Sequence, residues 1–245
     1  MYSNPVAALP WYLPVDGAAH GPALDRHLIL NLWLAAALFV LAHLILLTGM
    51  LLRRTTAARR TTLVEYLPVA ALALLFAFLT IRSERLWAAS RYTGADPSAL
   101  QVEVTGMQFA WYFRYPGTDA TFGRTRPQLV EPGAGNPLGI DPADQAGTDD
   151  IVASELVLPA GRMVDLRLQA QDVIHGFFIP GMRVKQNAVP GQTIHLHFTP
   201  TEPGTYPILC TQLCGLGHYR MSANLRVVTP AEYAAWLKER SGGQP

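Results

Sequence analysis

Apolar positions are distributed along this chain in two unlike patterns. Residues 28–52, "LILNLWLAAALFVLAHLILLTGMLL", carry no formal charge, and residues 63–81, "LVEYLPVAALALLFAFLTI", carry only Glu65. A helix rising about 1.5 Å per residue needs roughly 20 apolar residues to cross a bilayer core. The pattern therefore predicts a two-helix transmembrane hairpin over residues 27–82, with spans at about 28–52 and 63–81. Buried helices of a soluble core would not be so uniformly apolar. A cleaved signal peptide does not fit, because a basic leading region is missing and the first apolar run starts near residue 28.

From about residue 98 the pattern shortens. "QVEVTG", "ELVLPAG", "MVDLRLQA", "TIHLHFTP" and "NLRVVTP" alternate apolar and polar residues or are rich in β-branched ones, and Gly and Pro close them. Short strands with regular turn signals predict an all-β sandwich over residues 98–228. "TPAEYAAWLKER" then places Thr229 as N-cap, Pro230 in the first helical turn and Glu232 three residues after the cap. That capping box predicts a short C-terminal helix within 229–245. Residues 1–26 remain as an N-terminal segment.

Charge adds orientation. Arg53, Arg54, Arg59 and Arg60 crowd the short loop between the two spans. The positive-inside rule puts that loop in the cytoplasm, although Arg26, Arg82, Arg85 and Arg91 flank the other side. Both termini and the β-domain are then expected outside, on the periplasmic face of a bacterial inner membrane; the excess of arginine over lysine fits a GC-rich bacterial genome. A net charge of +1, with 15% of residues charged, leaves no basic tract for nucleic acid. "GIDPADQAGTDDIVASE" carries Asp141, Asp144, Asp149, Asp150 and Glu155 without a basic residue. It reads either as a solvated loop or as an acidic docking face for a basic partner.

The chemistry is concentrated in "CTQLCGLGHYRM", which contains both cysteines of the chain. Cys210, Cys214, His218 and Met221 offer thiolate, imidazole and thioether, the donors that select copper over magnesium or calcium. Two thiolates can bridge two ions where a blue-copper loop holds one. "EPGTYPILC" reads as a strand delivering Cys210, and Gly215 and Gly217 keep the loop from becoming a good helix. A further imidazole must come from elsewhere. His20, His27 and His43 lie in or before the first span. His175, in "DVIHGFFIPGM", sits in a plausible neighbouring loop, whereas His195 and His197 face one side of a strand and read first as surface or packing residues. A Cys210–Cys214 disulfide is the structural alternative. The spacing does not fit covalent haem, which needs Cys-x-x-Cys-His, and it suits zinc poorly.

With these residues in place, the chain resembles subunit II of the haem–copper cytochrome c oxidases over residues 27–228. The resemblance implies a cupredoxin-like sandwich carrying the dinuclear copper centre CuA. By matching position, Cys210 and Cys214 bridge the coppers, His175 and His218 each ligate one, Met221 is a weak ligand, and Gln212 contributes its main-chain carbonyl. "GMQFAWYFRY" resembles the family's aromatic electron-uptake stretch, with Phe109 in place of its leading tryptophan and Trp111 at the next. Gln212 replaces the family's glutamate, and Asn187 replaces an aspartate. A neutral amide is a poorer ligand for Mg2+, which argues against a magnesium ion at the subunit contact. Glu65 corresponds to a proton-uptake carboxylate; pairing with a loop arginine is its structural alternative.

The implied partners are oxidase subunits I and III, a soluble donor such as cytochrome c, and the lipid membrane. The implied role is to pass electrons to haem in subunit I, where oxygen reduction is coupled to proton translocation. A copper subunit of a membrane nitric oxide reductase is the alternative.

Overall fold

The computed structural model of the protein describes residues 13–52 and 62–241. The arginines of the short loop, Arg53, Arg54, Arg59 and Arg60, lie outside the described residues.

Two helices form at the apolar runs, α1 (Gly21–Leu52) and α2 (Thr62–Arg91). Each is longer than its apolar window. Phe39, Leu47, Leu67 and Phe76 all stand exposed along them, the reverse of a soluble-core helix, whose apolar side chains are covered. Both helices are long and apolar enough to cross a membrane. Residues 22–92 form one compact unit, and residues 1–21 with 93–245 form the other.

The second unit is a sandwich of two five-stranded sheets. Its strands are β1 (Leu100–Met107), β2 (Ala110–Tyr115), β3 (Ile151–Ala153), β4 (Leu156–Pro159), β5 (Val164–Ala170), β6 (His175–Ile179), β7 (Val184–Ala188), β8 (Ile194–Phe198), β9 (Gly204–Cys210) and β10 (Ser222–Val228). One sheet runs β3-β2-β1-β5-β8 and the other β4-β10-β9-β6-β7. Two neighbouring pairs, β1 with β5 and β4 with β10, are parallel.

Side chains alternate across a strand, and the inward rows make the core. Val102 and Val104 of β1 meet Trp111, Phe113 and Tyr115 of β2 and Val164, Leu166 and Leu168 of β5. Phe177 and Ile179 of β6, Ile208 of β9, and Leu225 and Val227 of β10 face them from the other sheet. All five strands read from alternation form. β6 is the main departure: the stretch around His175, read as a loop, is a strand paired to β7 and β9.

Residues 116–150 leave β2 as an excursion of turns and return to β3 on the outer face of the first sheet. The buried Arg114 pins this excursion. Its Nη1 meets Glu103 Oε2 at 3.0 Å, and its Nε meets Asp150 Oδ2 at 3.0 Å, while its Nη2 reaches both Asp150 and the Gly123 carbonyl. An N-terminal strap crosses the other end: Gly17 N donates to Gly181 O (2.8 Å), Ala19 N to Thr199 O (3.0 Å) and Thr201 N to Gly17 O (2.7 Å), and Ala18 enters the core.

The C-terminal helix α3 (Pro230–Ser241) has the expected capping box. Thr229 N donates to Glu232 Oε2 at 2.8 Å, and Glu232 N donates to Thr229 Oγ1 at 3.3 Å. Its Tyr233 and Trp236 are buried, with Trp236 edge-on to Tyr115 at 4.9 Å.

Candidate metal centre

The core-facing rows of two adjacent strands end in ligand atoms. On β9, Tyr206 and Ile208 point inward, so Cys210 is the next inward position. On β6, His175 precedes Phe177 and Ile179 on the same face. The register pairs Phe177 with Cys210 and Phe178 with Leu209, bringing the two rows side by side. Gly106 of β1 makes room, since a Cβ there would lie 2.9 Å from the His175 ring and 3.0 Å from Trp111.

Beyond Cys210 the chain turns through a loop and a short 3-10 turn over His218–Arg220 before entering β10. Cys210 N donates to Met221 O at 3.2 Å, closing the loop at its base. Inside it, Cys214 Sγ lies 3.9 Å from Cys210 Sγ, 3.6 Å from His218 Nδ1 and 3.7 Å from Met221 Sδ, and Cys210 Sγ lies 3.3 Å from the Gln212 carbonyl. The ligand atoms of His175, Cys210 and Cys214 all fall within 4.8 Å of one another. All six sequence-assigned ligand residues thus take part in one constellation. The sulfurs are too far apart for a disulfide, which needs about 2.0 Å, and both cysteines are free.

Two features of the pocket bear on its fit to a soft metal. His175 is fully buried, and its Nδ1 has no hydrogen-bond partner, while its Nε2 is bonded to Asp172 Oδ1 at 2.8 Å. An unmet buried ring nitrogen is costly, and a ring nitrogen of His175 lies within 4.8 Å of both thiol sulfurs. Burial, and then the neighbouring Cys210, push the Cys214 thiol up to about 11. Such a thiol keeps its proton at neutral pH unless a metal cation displaces it, so loading releases protons. Partial burial opposes ionisation of Asp172, but hydrogen bonds from Gln108 N, His175 and Val173 N outweigh it and hold that carboxyl below its usual range.

The aromatic pair separates. Trp111 is buried, edge-on to His175 at 5.8 Å and to Phe177 at 5.1 Å. Phe109 lies over the ligand loop, where a Cβ on Gly217 would approach its ring to 2.4 Å. His195 stands away from the cluster on edge strand β8, its Nδ1 on Asp165 Oδ2 at 2.8 Å.

The five acidic residues do not make an open face. Asp141 and Asp150 are buried, Asp141 against Arg126 at 2.9 Å and Asp150 against Arg114. Asp144 is tied to Arg124 at 3.2 Å and Glu155 to Arg226 at 3.0 Å, while Asp149 caps the turn at Thr118 and Asp119. The sequence segment has no basic residue of its own; its arginines come from β2, β10 and the excursion. Glu65 lies exposed in the first turn of α2, ahead of Pro68. Asp172 and Gln108 were not singled out in the sequence, although an aspartate three residues before a ligand histidine is a usable signal.

The family model of the cytochrome c oxidase subunit II periplasmic domain matches residues 100–228. An alternative cytochrome c oxidase subunit 2 of Bradyrhizobium diazoefficiens is 38% identical over 152 residues, covering 61% of this chain and 54% of that protein. A cytochrome c oxidase subunit 2 of Synechocystis is 34% identical over 148 residues, covering 60% of this chain and 35% of that protein. The chain therefore spans about half or less of the length of these relatives. Among solved structures, the periplasmic domain of subunit II of the Bradyrhizobium japonicum cytochrome oxidase is 27% identical, with a TM-score of 0.44, covering 60% of this chain and 96% of that one. With a family match over more than half its length and two apolar helices ahead of it, the chain is a membrane protein with an outer-side β-domain, and it belongs to the cytochrome c oxidase subunit II family.

Proposed function

We propose that this chain is the electron-accepting subunit of a terminal oxidase, taking electrons singly from a soluble donor such as cytochrome c and delivering them to haem in subunit I. The observation that carries this reading is the convergence of two free thiols, a thioether, a carbonyl and two imidazoles, one with a bare buried nitrogen. His175, Cys210, Gln212 through its carbonyl, Cys214, His218 and Met221 would hold a pair of copper ions. When bound, that pair supplies one-electron storage with little change in bonding, because the charge is shared across both sulfurs.

The residues contribute rigidity. His175 and Cys210 sit on paired strands, and the loop is closed at both ends by β9 and β10. The core row through Trp111 and Phe177 keeps water away from the buried face. Phe109, over the ligand loop, and Trp111, beneath it, are the electron-uptake candidates on this reading, and Glu65 is the proton-uptake candidate. Oxygen reduction and proton translocation belong to the partner subunits.

The test is to load the purified full chain with copper in detergent and record metal content and electron paramagnetic resonance. Two coppers per chain and a seven-line hyperfine pattern from one electron shared by both nuclei are expected. A single copper with a four-line pattern would remove the proposal.

A further inference from the structure

Three segments far apart in sequence are linked beside the cluster, two of them at one carboxylate. Asp172 Oδ1 accepts from His175 Nε2 at 2.8 Å. Asp172 Oδ2 accepts from the Gln108 backbone N at 2.7 Å, in the turn between β1 and β2. The Gln108 side-chain amide in turn donates to the Cys214 carbonyl, inside the ligand loop. Gly215 permits that approach, because a Cβ there would lie 2.8 Å from Gln108 Nε2. One unbroken chain of hydrogen bonds thus links the His175 ring to the main chain of Cys214 through two residues that are not themselves ligands.

We infer that Asp172 and Gln108 are positioning residues: Asp172 fixes the His175 tautomer, and Gln108 ties the resulting position to the cysteine loop. The inference rests on the copper reading above for its consequence, but its geometry stands without metal. A neutral imidazole carries one proton. The carboxylate at Nε2 holds that proton there and leaves Nδ1, which is buried and has no hydrogen-bond partner, bare as the ligand position. Without Asp172 the proton can move to Nδ1, where it blocks the ligand position. The carboxylate's negative charge also raises the donor strength of the ring. Gln108 acts differently, because it sets where the Cys214 backbone lies without touching the imidazole.

The experiment uses the nitrogen-15-labelled full chain in detergent, first without metal and then loaded with copper. In the metal-free wild type, long-range proton–nitrogen spectra should show His175 as the Nε2–H tautomer alone. D172A should mix the tautomers and weaken copper affinity, measured by chelator competition, by about 10- to 100-fold. D172N should keep the tautomer, because its side-chain oxygen still accepts the ring proton, and recover much of the affinity. Its lost charge should shift the reduction potential upward, which a merely structural role would not do. Q108A should leave the tautomer unchanged and alter the copper hyperfine splitting. Circular dichroism of each variant checks folding, and D172N carries the test should D172A not fold. A wild-type His175 protonated at Nδ1, a D172A protein with the wild-type tautomer and affinity, or a D172N protein with unchanged potential overturns the inference. Failure of the wild type to take up a copper pair overturns the functional reading instead, and the metal-free tautomer still decides the role of Asp172.

Discussion

Cys214 is the residue on which most of the cluster converges, with sulfur or nitrogen donors from Cys210, His218 and Met221 all within 4 Å of its Sγ. Cys214→Ser is expected to abolish the shared-electron resonance signal. His195→Ala should leave it intact, since that ring sits on edge strand β8 of the other sheet and is held by Asp165. Loss of the signal in the histidine variant would mean that the second imidazole ligand is not His175. The loop ligands were legible in the sequence because four soft donors fall within one short stretch. His175 was favoured by its apolar, turn-flanked setting and assigned as a ligand through the resemblance, because its place depends on the pairing of β6 with β9, which no local pattern encodes. The pairing of the acidic run is hidden for a similar reason, since Arg114 and Arg226, which meet Asp150 and Glu155, belong to strands distant in sequence.

Strands and helices differ in how plainly they announce themselves. β1, β5 and β8 alternate because one face meets the core, whereas β6 is buried along nearly its whole length and shows no alternation. β7 is an edge strand with Lys185, Gln186 and Asn187 between two buried ends, so it too shows no alternation. The capping box gave α3 directly, and Thr229→Ala should cost about 1 kcal/mol of stability in chemical denaturation. The same helix creates a sensitivity to alkali. Burial pushes the Tyr233 hydroxyl up to about 12 and raises Tyr115 well above its ordinary value, where it donates to Val157 O and accepts from Val157 N. A tyrosine with a raised folded pKa stabilises the fold fully below its unfolded value of about 10 and loses that contribution as pH climbs toward the folded one. Tyrosinate absorbance and loss of β-sheet circular dichroism should therefore rise together between about pH 10 and 12. Separate transitions would show that the tyrosines ionise in the folded state. Arg114 makes a harsher case, because Arg114→Met removes the guanidinium that meets the buried Asp150 and the part-buried Glu103. A loss of about 3–5 kcal/mol is expected in urea unfolding.

At the level of the whole molecule, the outer body is assembled from two separate stretches of chain. A fragment beginning at residue 93 would lack Ala18 in the core and the three backbone hydrogen bonds of the strap. It should unfold with roughly 2–4 kcal/mol less stability than the intact body. A peptide of residues 13–21 added to the fragment should recover part of that difference, and equal melting with and without the peptide would show that the strap is dispensable. The same discontinuity also imposes a rule of parity. Since the residues before the first span and those after the second must meet in one aqueous compartment, the number of membrane crossings between them has to be even. Deleting either span alone would strand the two stretches on opposite faces of the bilayer. Deleting both would leave them free to find each other, so losing more of the protein should do it less harm.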